Sequence, residues 1–364
     1  MKTTISLCHW QPRIAALAVC TLSFWTGCVP DVDTDESLVL APRLIAVTAE
    51  PAEAAPGETV TWTAWIASPD GTVETSSAPS WSQCLVRPSL AESGSVSQRC
   101  VNGEEGTFTA LGQGTEVQGI LPADACARFG PDPPPVEPGQ PAGRPASPDV
   151  TGGYRQAMVL IGDASWSYDQ LIYEQRIRCN LAGATPEESV RFRQQYRNNT
   201  NPRLTALRVL DGQGNTLGEV TPDNPEPVTV SPGSQITLRA EWPLCPDAAN
   251  CGDGYCAPDE SLESCPADCT TPVGCDGSET WLWYDPVDRE FSNRRESLRF
   301  AWLASTPGLN LERNGVDANA ALQETAITNT FEVPQTTGAQ IFLWVVVRDE
   351  RGGSFVQPLT LQVQ

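Results

Sequence analysis

A block that occurs twice sets the strongest limit on how this chain folds. One copy opens with Pro42-Arg43-Leu44-Ile45-Ala46-Val47, turns at Pro56-Gly57 and continues Thr59-Val60-Thr61-Trp62-Thr63-Ala64-Trp65-Ile66. The other opens with Pro202-Arg203-Leu204-Thr205-Ala206-Leu207, turns at Pro232-Gly233 and continues Gln235-Ile236-Thr237-Leu238-Arg239-Ala240-Glu241-Trp242. Aligned on Pro-Gly, Val60, Trp62, Ala64 and Ile66 meet Ile236, Leu238, Ala240 and Trp242. A period of two, rich in Thr and β-branched residues, describes a strand with one face buried. The chain therefore reads as all-β: two homologous sandwiches in series, residues 42–200 and 201–364.

Further strands follow in each half. In the first, Ser80-Trp81-Ser82-Gln83-Cys84 sits where a sandwich places a core Trp, and Ala157–Ile161 and Gln170–Arg178 read as late strands. In the second, Thr280–Tyr284 and Leu298–Leu303 precede a closing hairpin, Gln340–Arg348 and Ser354–Val363, with Pro358 marking an edge or a bulge. Most of the 11 Trp fall on strands and read as core. Thr185-Pro186-Glu187-Glu188 starts a helix running to about Arg197, with Phe192 and Tyr196 on one face. Residues 130–150 hold eight prolines and read as an exposed connection, since such a run cannot enter a sheet interior.

Charge and missing residue types exclude several functions. The net charge is −22, from 45 acidic and 23 basic residues, which argues against nucleic acid and against docking on an anionic bilayer through a basic face. The one His is His9 and the one Lys is Lys2. Both lie in residues 1–28, which resemble a secretory leader: a positive start, an apolar run from Ile14 to Trp25, and Trp25-Thr26-Gly27-Cys28. That ending resembles a bacterial lipobox, whose cysteine becomes diacylated; the resemblance implies lipidation at Cys28. Without His and Lys the remaining chain has no Ser-His-Asp or Cys-His mechanism, Schiff-base lysine or P-loop. Residues 29–41, with Asp31, Asp33, Asp35 and Glu36, read as an acidic tether.

Of 13 cysteines, Cys8 and Cys20 belong to the leader and Cys28 to the anchor, which leaves ten. Cys84, Cys100, Cys126 and Cys179 form one even group; Cys245, Cys251, Cys256, Cys265, Cys269 and Cys275 form another. Even groups in an exported chain read as disulfides within each group. The local spacing favours Cys84–Cys100, leaving Cys126 for Cys179; the pairing of the six stays open.

The repeated openings and the final hairpin resemble the immunoglobulin-like or cadherin-like sandwiches of bacterial surface lipoproteins. Residues 251–269 resemble the small Cys-Gly-Asp-Gly-x-Cys…Cys-Pro-x-Asp-Cys module of secreted bacterial proteins, here as an insert at 243–276. Together these imply a lipid-anchored protein of the cell envelope, at the outer membrane or cell surface, with a secreted or periplasmic protein as the alternative. The expected role is a structural, binding or adhesion module for a protein or polysaccharide rather than an enzyme. The rival is a carboxylate-dependent extracellular hydrolase such as a glycosidase, for which no acidic pair stands out. No cofactor is expected except calcium, for which Asp253, Asp259, Glu260, Glu263 and Asp268 offer hard oxygen ligands at close spacing.

Overall fold

In a computed structural model, the described residues are 36–71, 78–88, 92, 96–130, 154–167, 169–181, 184–245, 251–252, 260, 263–269, 274–285, 287–318, 320 and 324–364. Residues 37–364 form one compact unit. The first sandwich holds β1 (Arg43–Glu50), β2 (Glu53–Ala54), β3 (Thr59–Ala67), β4 (Ser80–Cys84), β5 (Phe108–Gln113), β6 (Glu116–Ile120), β7 (Arg155–Ile161) and β8 (Gln170–Ile177). Its sheets run β1-β3-β6 and β2-β8-β7-β4-β5. The second holds β9 (Ala206–Leu210), β10 (Thr216–Val220), β11 (Val228–Val230), β12 (Gln235–Glu241), β15 (Leu298–Ala304), β16 (Arg313–Val316), β17 (Ala326–Glu332), β18 (Gln340–Asp349) and β19 (Ser354–Val363). Between β12 and β15 lies a separate hairpin of β13 (Thr280–Asp285) and β14 (Glu290–Arg295).

The second sandwich's sheets run β10-β9-β12-β17 and β11-β19-β18-β15-β16. Apart from β10, these orders match the first sandwich strand for strand. The matching includes the short parallel pairings β2–β8 and β11–β19. Both halves are therefore Greek-key sandwiches of the immunoglobulin type, whose strands alternate between the two sheets in this way. The Pro-Gly turns do the same work in each. Gly57 and Gly233 take φ of 81° and 66°, a region that glycine enters without a Cβ clash. In both halves the next residue's carbonyl accepts from the residue just past the edge strand: Leu121 N donates to Glu58 O at 3.0 Å, and Val333 N to Ser234 O at 2.9 Å. Val60, Trp62, Ala64 and Ile66 line one core, and Ile236, Leu238, Ala240 and Trp242 the other.

The two sandwiches share a third apolar cluster. Ile45, Ala46 and Ala67 of the first pack with Leu303, Trp344, Val346 and Val356 of the second. A register shift in β1 between Leu44 and Ala46 breaks strict alternation, and both Ile45 and Ala46 join the shared cluster while Leu44 and Val47 stay in the first core. On β18 the faces divide cleanly: Ile341, Leu343, Val345 and Val347 fill the second core, while Trp344 and Val346 meet the first sandwich.

Residues 37–39 are part of this structure, although the composition of 29–41 suggests a free tether. Leu38 bridges Ala304, Val39 N donates to Ala304 O at 2.8 Å, and Val39 is fully buried in the shared cluster. The physical reason is local: Leu38 and Val39 form a short apolar step after the acids, and the end of β15 has free backbone groups to pair with it. The proline-rich run beyond Gly130 lies outside the described residues. Pro358 sits in β19 opposite Trp344, in unbroken register. On its other side β11 pairs only with Leu361–Val363, so the missing N–H of Pro358 falls on an open edge.

Candidate functional site

Polar and charged side chains converge where the first sandwich, the linker, the insert and the second sandwich meet. Glu53 comes from β2 and Arg176 from β8. Tyr196, Arg197 and Asn199 follow the linker helix, Glu279 and Glu296 flank the β13–β14 hairpin, and Asp349 and Arg351 lie at the β18–β19 turn. Glu53, Arg176, Arg197, Glu279, Glu296 and Arg351 are each at most 2% exposed. Charges this deep persist only when paired and hydrogen-bonded. Arg351 provides the centre. Its guanidinium bonds Glu279 and Glu296, donates to Arg197 O at 2.9 Å and lies 5.3 Å from the Trp281 ring centroid.

Around Glu53 a second knot forms. Its Oε2 accepts from Tyr196 Oη at 2.8 Å and Asn199 N at 2.9 Å, with Arg176 Nε at 3.4 Å. Arg176 also lies 5.9 Å from Trp281, on the same ring that Arg351 approaches. Asn199 then hands the network on by donating to Asp349 Oδ2 at 3.1 Å. Asp349 Oδ1 accepts from Gly352 N and Gly353 N and so closes its own turn. Burial pushes the Glu296 carboxyl well above the ordinary carboxylate range, helped by the negative charges of Asp349 and Glu350. Asp349 is raised too, again chiefly by burial. The Tyr196 hydroxyl is pushed up to about 12 by burial.

The linker helix fixes one side of this junction. Helix α1 (Pro186–Gln195) has Thr185 as N-cap, proline in its first turn, and a complete capping box in which Thr185 and Glu188 bond each other's backbone N–H. Phe192 and Tyr196 are buried with ring centroids 4.5 Å apart and pack with Leu181, Trp281, Leu282 and Tyr284 of the neighbouring segments. Glu188 also accepts from Tyr284 Oη at 3.2 Å and from both ends of the Arg289 guanidinium, at 3.1 and 2.7 Å. Arg289 has φ of 60°, uncommon outside glycine, and the bidentate pair fixes it there. The Arg289 contact first, then the Thr185 backbone bond, lower the Glu188 carboxyl to about 2.

Of the residues singled out in the sequence, Cys28 lies outside the described residues. Cys84 is bonded to Cys100 and Cys126 to Cys179. In the insert Cys245 is bonded to Cys275 and Cys251 to Cys265. Cys269, on the four-residue helix Pro266–Cys269, is also disulfide-bonded, and Cys256 lies outside the described residues. Of the five carboxylates weighed for calcium, Asp253 and Asp259 lie outside them as well. Glu263 is exposed. Glu260 and Asp268 are each 8% exposed, and one oxygen of each lies with the Cys251 and Cys265 sulfurs inside a 4.8 Å group. Those sulfurs are joined to each other, so they present no thiolates to a metal. Asp268 accepts from Gly252 N, so one of its oxygens is already engaged.

The junction residues escaped the sequence reading because each looks like a surface charge on a strand end or turn. Only the fold brings these positions together.

No family model matches the chain, and no curated protein matches it. Solved structures to which it is similar include the D0-D1 domain of intimin, at 8% identity over 88% of this chain and 99% of that one, with a TM-score of 0.19. The Yersinia pseudotuberculosis adhesin InvE is 12% identical over 88% of this chain and 60% of that one, with a TM-score of 0.19. The fibronectin(III)-like modules of Clostridium thermocellum CbhA are 10% identical over 88% and 94%, with a TM-score of 0.18. Scores this low add nothing to the strand topology, on which the fold assignment stands.

Proposed function

We propose that this chain is an exported, lipid-anchored envelope protein whose two sandwiches act as one stiff structural or binding module. One observation carries the stiffness: charged and polar groups from both sandwiches, the linker and the start of the β13–β14 hairpin interlock in a single sealed junction. A flexible pair of domains would open that junction to water and leave the ion pairs worth little. The disulfides agree with export. Anchoring rests on the lipobox-like ending at Cys28. A palmitate analogue fed to cells labels the wild type and spares Cys28→Ser; equal labelling defeats the anchor. Small-angle scattering of the soluble chain gives one fixed distance between the sandwiches. A broad distribution of distances defeats the stiff module. The glycosidase alternative draws no support from the junction, whose carboxylates are already engaged by Arg176, Arg351, Asn199 and backbone N–H groups.

A further inference from the structure

Several sheet edges of the sandwiches are closed by side chains or by neighbouring backbone. Three carbonyls of β1 are capped: Ile45 O accepts from Arg348 at 3.0 Å, Val47 O from Ser354 Oγ at 2.5 Å and Ala49 O from Asn201 Nδ2 at 2.7 Å. Along β17, Asn310 N donates to Thr330 O at 3.0 Å and Glu332 N to Gly308 O at 2.9 Å. Strand β14 differs. It is six residues long, pairs with β13 in unbroken register, and exposes Glu290, Ser292, Asn293 and Arg294. Glu296 N donates to Glu279 O at 3.0 Å, one step past the Thr280–Arg295 pair. Opposed antiparallel residues alternate between bonded and non-bonded pairs. Glu290, Ser292 and Arg294 therefore turn their backbone groups toward β13, and Phe291 and Asn293 turn theirs outward. Among the described residues those outward groups meet no partner.

This open edge carries two opposite charges. Glu290, Ser292 and Arg294 alternate along the strand and so share one face. Glu290 stands opposite Asp285 of β13, a like charge, which costs stability. The Arg294 guanidinium lies 3.4 Å from the Trp283 centroid, a contact that orients it and leaves its charge intact. Among the described residues neither Glu290 nor Arg294 has an ion-pair partner. They stand about 13 Å apart along the strand, too far to pair with each other.

We infer that β14 is a self-pairing edge, whose partner is β14 of a second copy of this chain laid antiparallel about a two-fold axis. Opposed residues in a sheet share a face, so the axis passes through a residue rather than between two. Centred on Ser292, it sets Glu290 against Arg294 of the other copy, twice over, in the closer non-bonded pairs. Phe291 and Asn293 then exchange backbone bonds with Asn293 and Phe291 of the other copy, and two hairpins become one four-stranded sheet. Centred on Phe291 or Asn293, the axis makes neither ion pair. The charge pattern therefore selects both the second copy and its register. Six residues a side is far below the roughly 20–30 of a stable complex. The pair is weak in dilute solution and forms where copies are crowded, as when many are anchored to one membrane. This inference rests on the structural-module reading and names the module's partner.

The test is disulfide trapping of the intact chain, carrying Cys28→Ser to exclude that thiol. Oxidation in solution at roughly 0.5 mM captures a weak pair without a membrane. Ser292→Cys gives a covalent dimer on a non-reducing gel at least about tenfold faster than Asn293→Cys. The axis brings residue 292 against itself and leaves the two copies of residue 293 diagonal to each other, beyond disulfide reach. On the Ser292→Cys chain, Glu290→Arg slows trapping about tenfold, because two attractions become two repulsions. Adding Arg294→Glu restores the rate to within about twofold, since the reversed charges match again. Glu290→Gln, which removes the attraction without the repulsion, falls between. Melting temperatures establish that each variant is folded. Equal trapping at 292 and 293, or a double reversal no faster than Glu290→Arg alone, overturns the self-pairing. A chain that is labelled at Cys28 and holds one fixed distance between its sandwiches, yet yields no Ser292→Cys dimer, loses the self-pairing alone, and the module reading stands.

Discussion

Arg351→Met is the sharpest probe of the junction. The guanidinium is 1% exposed and bonded to Glu279 and Glu296, themselves 0% and 1% exposed. Met keeps most of the volume over Trp281 and removes the charge, so two carboxylates lose their principal cation with little solvent to replace it. Removing one partner from a buried pair costs about 3–5 kcal/mol, most of it from the orphaned charge. No discount for solvent screening applies at this depth. Against a usual domain stability of roughly 5–15 kcal/mol the loss is large. Urea unfolding of the intact chain at pH 8, followed by tryptophan fluorescence, measures it. The deficit shrinks toward pH 5, because burial already raises the Glu296 carboxyl and a carboxyl stripped of its cation takes up a proton more readily. The triple variant Arg351→Met, Glu279→Gln, Glu296→Gln recovers most of the loss, since neutral amides are far cheaper to bury than carboxylates. A single-variant loss under about 1 kcal/mol at pH 8, or a triple variant no better than the single, refutes the reasoning.

Three further outcomes follow from the same contacts. Wild-type stability declines as pH rises above the ordinary carboxylate range, because the raised Glu296 carboxyl gives up its proton at higher pH in the fold than in the unfolded chain; a flat profile above that range contradicts this. The Glu188 carboxyl, lowered to about 2, has the opposite sign: its stabilisation is full above the unfolded value near 4.3 and is lost on acidification toward 2, so Glu188→Gln lowers the melting temperature at pH 7 and converges with wild type at the acid end. Replacing Cys126 and Cys179 together by Ser opens a 53-residue loop and costs about 4 kcal/mol in urea, whereas the 16-residue Cys84–Cys100 loop costs about 3; the reverse order argues against loop entropy as the source.

How far the sequence could be read depended on whether the information was local. The repeated Pro-Gly block disclosed β3 and β12 down to the facing of each residue, because strand alternation and a turn glycine are properties of neighbours in the chain. The cap at Thr185-Pro186-Glu187-Glu188 was legible for the same reason, although not the second use of Glu188 as the holder of Arg289. The packing of one sandwich on the other had one trace. Ile341-Phe342-Leu343-Trp344-Val345-Val346-Val347 is apolar without alternation, and such a run marks a strand buried on both faces. The second face of β18 had to be covered by something, and Ile45, Ala46 and Val39 cover it. The ionic junction had no such trace. Glu53, Arg176, Glu279, Glu296 and Arg351 are spread from position 53 to position 351, and each is an ordinary charged residue in its own segment. Their burial is a consequence of docking. Since a charge already paired is far cheaper to bury than a lone one, the junction is stable only once both sandwiches, the linker and the insert are in place together.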